Sequence, residues 1–283
     1  MEIKFTNIRP SPIAGTWYSA DPSELRGSIE GYLKEAEPPD LPGEVIALIV
    51  PHAGHHYSGL VAAYAFKAIL GNQYDNVAIV APSHHYYARA FLTSAHQAYE
   101  TPLGIVPIEQ AAVAEISKGL QAELGIGLTS VANDEEHSLE IELPFLQCVL
   151  PKPFSLIPIM LLEQSAWAAQ GIGKVLAATL RAHKTLMVAS SDLSHFHPEE
   201  HANQLDRAVL AEIGAFNPEG LYALKASGAG QACGLGAIAA VMWAAKALGA
   251  DQVTVVNYNT SAAVTHDRSS VVGYGAAVIT KSA

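Results

Sequence analysis

Four aliphatic runs, at 45–50, 77–80, 156–160 and 186–189, are too short for helices and too continuously apolar for strands with one face in water. Such runs are strands covered on both faces, the signature of a parallel sheet flanked by crossover helices. The intervening segments supply those helices, because apolar residues recur with helical period at 60–70, 111–120, 139–149, 166–181, 202–213 and 235–248. A further helix is expected at 23–36, with Ser23 as its N-cap and Pro38 and Pro39 ending it. Apolar stretches at 253–258 and 271–279 read as further strands, and 89–99 as an antiparallel edge. The expected fold class is α/β: one domain over 1–283, with a central mixed, largely parallel sheet flanked by helices. With 283 residues, 50% of them hydrophobic, the chain can bury one large core.

Charge narrows the range of partners. Only 15% of residues are charged and the formal net charge is −11, so phosphate backbones and anionic membranes are repelled and no nucleic-acid partner is expected. No stretch is long enough to span a bilayer, so no membrane partner is expected either. Met1-Glu2-Ile3-Lys4 is not followed by the apolar run of an export signal. The two cysteines, Cys148 and Cys233, form neither a metal-finger spacing nor a disulfide framework. A cytoplasmic, reducing location is the expectation.

The chemistry gathers just past the strands. Ile49-Val50-Pro51-His52 leads into His55-His56-Tyr57, and Val80-Ala81-Pro82-Ser83 leads into His84-His85. Val188-Ala189-Ser190-Ser191-Asp192 is followed by His195. In open α/β sheets the carboxyl ends of the strands border the ligand crevice, so three such tips can deliver side chains to one place. Imidazole ligates metals and titrates near neutrality, and most of the 12 histidines cluster at these tips, at 137 and at 195–201, which favours metal binding or proton transfer. Asp192 and His195 fit either a ligand with its orienting partner or an acid–base pair, and Asp192 or Ser194 alternatively caps the helix near Pro198. Cys233 stands in a glycine-rich turn that opens the helix at 235–248, where the helix end should favour thiolate; it is then a metal ligand or a nucleophile, or else a small core residue. Cys148 has apolar neighbours and is assigned to the core. The acidic run Asp134-Glu135-Glu136-His137-Ser138-Leu139-Glu140 reads either as a solvated helix start or as a pocket rim carrying His137 and Glu140.

Taken in order, Ala14-Gly15-Thr16-Trp17-Tyr18, Pro51-His52-Ala53-Gly54, Pro82-Ser83-His84-His85, Glu136-His137-Ser138-Leu139-Glu140, Ser190-Ser191-Asp192 and Cys233-Gly234 resemble the Memo family, whose prokaryotic members are called AmmeMemoRadiSam system protein B. The resemblance implies a fold related to class III extradiol dioxygenases, which are non-haem iron enzymes. It implies His52, His84 and Cys233 as metal ligands, with Asp192 and His195 lining the same pocket; these two and His137 are the candidate catalytic groups. Trp17, His55 and Tyr57 would then contact a small-molecule or peptide ligand. Iron or copper is the implied cofactor, with zinc also compatible, and AMME-domain and radical-SAM proteins are the implied partners. A cysteine replaces the third, carboxylate ligand of the dioxygenases, and the soft thiolate shifts preference toward copper(I), zinc or thiolate-ligated iron. Animal members carry tyrosine where this chain has His55, which would bring another imidazole to the pocket. Three functions are compatible with this set: a metal-dependent redox enzyme, a metal- or ligand-binding accessory module, and a hydrolase using Cys233 as nucleophile.

Overall fold

The computed structural model describes residues 5–282. In chain order the strands are β1 (Ile8–Arg9), β2 (Glu44–Val50), β3 (Asn76–Pro82), β4 (Phe91–Ser94), β5 (Ala98–Thr101), β6 (Gly104–Pro107), β7 (Thr129–Val131), β8 (Ser155–Leu161), β9 (Thr185–Ser190), β10 (His195–His197), β11 (Gln252–Thr260) and β12 (Val271–Lys281). The helices are α1 (Pro22–Glu35), α2 (His55–Lys67), α3 (Gln110–Leu124), α4 (Leu143–Val149), α5 (Ala166–Leu180), α6 (Glu199–Gly214), α7 (Pro218–Ser227), α8 (Leu235–Ala247) and α9 (Ala262–Thr265). Among the described residues no helix is long and apolar enough to cross a membrane.

The main sheet runs β10-β12-β2-β9-β3-β8-β4-β7, with β11 also paired to β12. Its centre, β2-β9-β3-β8, is parallel, and β12 joins β2 antiparallel, so the mixed α/β class is as expected. The four aliphatic runs are these central strands, and nearly every residue of β3 and β9 is buried. Helices α2 and α8 pack on the sheet, and α5 packs on α8. Because β2, β9 and β3 are neighbours in this order, their carboxyl tips lie side by side.

The helix-and-strand reading needs four corrections. Asp21, not Ser23, caps α1: its side chain accepts from the N–H groups of Ser23 and Glu24 at 2.9 Å, and Pro22 occupies the first helical turn. The segment 139–149 is not one helix, because a 3₁₀ turn (Glu140–Glu142) precedes α4, which starts afresh around Pro144. The edge at 89–99 is two strands in different sheets: β4 pairs antiparallel with β8, whereas β5 joins β1 and β6 in a separate three-stranded sheet. Finally, α2 begins at His55 rather than near residue 60, which places His55, His56 and Tyr57 in a first helical turn instead of a loop.

Candidate metal centre

Three adjacent strand tips build the floor. Asp192, past β9, lies between His52, past β2, and His84, past β3, and it organises the first of these: its Oδ1 accepts the backbone N–H of His52 at 2.8 Å and of Ala53 at 3.3 Å. The fourth contribution comes from the turn before α8. The Cys233 N–H donates to the Asp192 carbonyl at 3.2 Å and the Gly234 N–H to Ser191 Oγ at 2.9 Å. A Cβ at residue 234 would stand 2.5 Å from the Ser190 carbonyl oxygen, so only glycine lets this turn approach the strand tip.

That approach sets Cys233 Sγ 3.1 Å from His52 Nε2. One donor atom from each of His52, His84 and Cys233 lies within 4.8 Å of the others, close enough to share one ion. Each imidazole is tied down through its other nitrogen: His52 Nδ1 lies 2.8 Å from Ser190 Oγ, and His84 Nδ1 lies 3.0 Å from Glu136 Oε1. Histidine ligands are oriented in this way in metal sites, with Nδ1 held by the protein and Nε2 left for the ion. The donor set therefore fits a transition metal.

Glu136 is not singled out from the acidic run by the sequence, yet it is the anchor of this wall. It accepts the N–H of His84, and its Oε1 accepts those of His137 and Ser138, each at 3.0 Å. Burial works against its charge, but the hydrogen bonds from His84 and Ser138 outweigh it and hold the carboxyl well below the usual range. A second donor group, His84, Glu136 and His137, is accounted for by these hydrogen bonds without a second ion.

The cavity above this floor measures about 430 Å³ and is lined by Trp17, Tyr57, His137, His195, Val272 and Tyr274 together with His52, His84 and Asp192. Trp17 stacks on His137 with centroids 4.0 Å apart, and His137 stacks on His84 at 4.6 Å. His195 Nδ1 is 3.0 Å from the Leu193 carbonyl oxygen, which leaves Nε2 as an acceptor. Burial lowers His195 and lowers His52 further, and it takes His137 to about 4 against the pull of Glu136, so these rings are neutral near pH 7. Burial lifts Asp192 to about 7, opposed by the two backbone N–H groups it accepts.

Several expectations change. His55 does not reach this cavity: its ring lies between Phe145 and Tyr18, its Nε2 donates to the Ile141 carbonyl at 3.0 Å, and it borders a separate cleft with Tyr32 and Glu24. The first turn of α2 points it into the protein, away from the strand tips. Cys233 is not a preformed thiolate, because burial, aided by Asp192, pushes the thiol up to about 12 and outweighs the helix end. Neither Asp192 nor Ser194 caps α6, whose N-cap is Pro198 with no side-chain bond. The acidic segment is not a solvated face: Glu135 is exposed, but Asp134, Glu136, Glu140 and Glu142 are buried. Glu140 lies outside the cavity and pairs with Arg9. Cys148 is half-buried, with Sγ 3.8 Å from an Arg26 nitrogen, rather than fully in the core.

A mixed α/β sheet whose parallel strand tips converge two histidines and a cysteine under an aromatic-walled cavity defines a protein with a metal-competent pocket. The sequence model of the family described as Memo-like protein matches residues 9–278, and the chain belongs to that family. A MEMO1 family protein of Nitrosopumilus maritimus is 34% identical over 273 residues, covering 95% of this chain and 98% of the relative. MEMO1 family protein MK0963 of Methanopyrus kandleri is 34% identical over 283 residues, covering 95% and 98%. In fold, the chain is similar to the crystal structure of uncharacterized protein JW3007 from Escherichia coli K12, with a TM-score of 0.56, 15% identity, and coverage of 83% of this chain and 100% of that one.

Proposed function

We propose that the protein is a metal-dependent oxidoreductase, akin to the class III extradiol dioxygenases, whose cavity holds iron or copper through His52, His84 and Cys233. The observation that carries this reading is the grouping of their donor atoms within 4.8 Å, with both imidazoles tethered through Nδ1. Two imidazoles and a thiolate suit iron, copper or zinc, and such an ion with an open position supplies Lewis-acid or redox chemistry to a small molecule.

The chain's own residues supply the rest. Trp17 and Tyr57 line the cavity and offer aromatic surface to a ring or acyl group. Asp192, titrating at about 7, gives or takes a proton near neutrality, and His195 offers Nε2 as a base. Among the described residues no lysine or arginine lines the cavity, so an uncharged small molecule fits better than a phosphorylated peptide. The His52–Cys233 contact also has the geometry of a base and nucleophile, but burial keeps the thiol protonated and His52 weakly basic, which opposes hydrolysis by a free cysteine.

Elemental analysis of protein purified without chelator or affinity metal tests the proposal, with a His52→Ala, Cys233→Ala variant alongside. Near-stoichiometric iron or copper that is lost in the variant, with oxygen uptake on small uncharged substrates, is the expected result. Bound metal without turnover would favour an accessory role beside AMME-domain and radical-SAM proteins. Failure to take up metal even after anaerobic reconstitution would overturn the reading.

A further inference from the structure

One buried hydroxyl has more partners than it has protons. Ser190 Oγ lies 2.8 Å from His52 Nδ1, 2.6 Å from the Ser138 carbonyl oxygen and 3.0 Å from Glu142 Oε1. A serine hydroxyl donates once and accepts twice. The Ser138 carbonyl can only accept, so the single Ser190 proton belongs to it; any other assignment leaves two oxygens facing each other at 2.6 Å with no hydrogen between them. The two remaining partners must then donate. His52 carries a proton on Nδ1, and Glu142 carries one on Oε1.

The surroundings of Glu142 agree with that count. The residue is 1% exposed and, among the described residues, forms no ion pair with any lysine, arginine or histidine. Burial pushes its carboxyl well above the ordinary range, and the neighbouring Asp192 adds to this against the Ser190 hydrogen bond. The tight turn at 140–142 brings it there: Glu140 faces Arg9, and Glu142, two residues on, faces Ser190.

We propose that Ser190, its one proton committed to the Ser138 carbonyl, holds His52 in its Nδ1–H form, aiming the Nε2 lone pair at Cys233 and the cavity, and that Glu142 is a neutral carboxylic acid donating to the same hydroxyl. Ser190 is a positioning residue. It does not line the cavity, and it fixes which nitrogen of His52 is free to ligate. Its importance for metal binding rests on the metal-dependent function proposed for the cavity, whereas the hydrogen count does not.

The test therefore starts with metal-free protein. Two-bond ¹⁵N–¹H correlation spectra of histidine-labelled protein report the His52 tautomer, and infrared difference spectra of wild type against Glu142→Gln report the carboxylic acid carbonyl. We expect the Nδ1–H tautomer and an acid band lost in Glu142→Gln. The glutamine amide still donates to Ser190, so that variant keeps the tautomer and near-wild-type affinity for added Cu(I) or Fe(II). Ser190→Ala, which removes the acceptor of the Nδ1 proton, should mix the tautomers and weaken affinity about 10–100-fold, whereas Glu142→Leu leaves the Ser190 proton on the Ser138 carbonyl and should keep the tautomer. An Nε2–H tautomer in wild type, a missing acid band, or an unchanged tautomer in Ser190→Ala each overturns the proposal, and the wild-type spectra decide it alone if Ser190→Ala does not fold. The expected tautomer and band in a wild-type protein that takes up no metal would instead overturn the metal reading and leave the positioning role standing.

Discussion

Two buried polar regions share the loop 134–142, and they differ in one respect: whether their hydrogen-bonding groups are used up. Around Arg9 nearly all of them are. Its Nε and Nη2 bind both oxygens of Asp134 at 3.0 and 2.9 Å, Nη2 also meets the Glu136 carbonyl at 2.9 Å, and Nη1 pairs with Glu140. The Glu140 carboxylate also accepts from Tyr18 at 2.6 Å and from Ser11, and the guanidinium lies over the Tyr99 ring. In the cavity next door, by contrast, His84 and His195 each spend one nitrogen on the protein and leave the other free among the described residues, and the second nitrogen of His52 meets only the Cys233 thiol. A nearly saturated network holds the arm that carries Trp17 against the loop that carries His137. An unsaturated one is set up to bind something.

Perturbing each region should give different kinds of loss. The largest is expected from Arg9→Met, which leaves two buried carboxylates facing no cation and should cost about 3–5 kcal/mol in denaturant unfolding. A loss below about 1 kcal/mol, the range of exposed pairs, would break the distinction. Next is acid sensitivity at His55, which lies between the two regions and falls from 6.5 to about 4 on burial. The unfolded chain takes up a proton that the folded one refuses, so the contribution is present above pH 6.5 and is lost as pH falls toward 4, by about 3 kcal/mol. His55→Phe should flatten the pH dependence of stability across that window.

On the cavity side the losses should fall on the metal. Cys233→Ser is expected to weaken metal binding about 100-fold, or about 2.7 kcal/mol, while unfolding moves little. Because a thiol held at about 12 must give up its proton to ligate, wild-type affinity should climb with pH and that of the serine variant much less. Unfolding of Cys233→Ser without metal would mean the pocket is structural. The smallest effect is expected for Glu136→Gln, about tenfold in metal affinity, since the amide keeps its size but loses the charge behind His84. An unchanged affinity would show that the carboxylate only shapes the loop.

The parallel centre of the sheet was legible because strands buried on both faces must be apolar throughout, and β2, β3, β8 and β9 obey that rule over nearly their whole length. The tips they carry were legible for the same reason, since a histidine or aspartate directly after such a run has few places to go. The short strands β1, β5, β6, β7 and β10 and helix α7 were not legible: two to four residues carry no periodicity, and α7 is largely exposed. The Arg9 network escaped because its parts lie 125 and 131 residues apart. A signal existed, since no lysine or arginine lies between Lys118 and Lys152, so the acidic run had to find its counter-charge elsewhere. Whether a helical histidine faces the cavity or the interior was decided by the phase of α2, one residue of which separates buried His55 from exposed His56.

His52 and Cys233 are 181 positions apart, brought within 3.1 Å only when β2 and β9 are paired and α8 has docked on them. An ion cannot template that arrangement as it does in a zinc finger, where ligands a few residues apart gather around it and the fold forms as they do. For the ion we propose, assembly would run the other way round, fold first and loading afterwards. The supply of metal would then set how much of the protein is loaded without being needed for the fold to form.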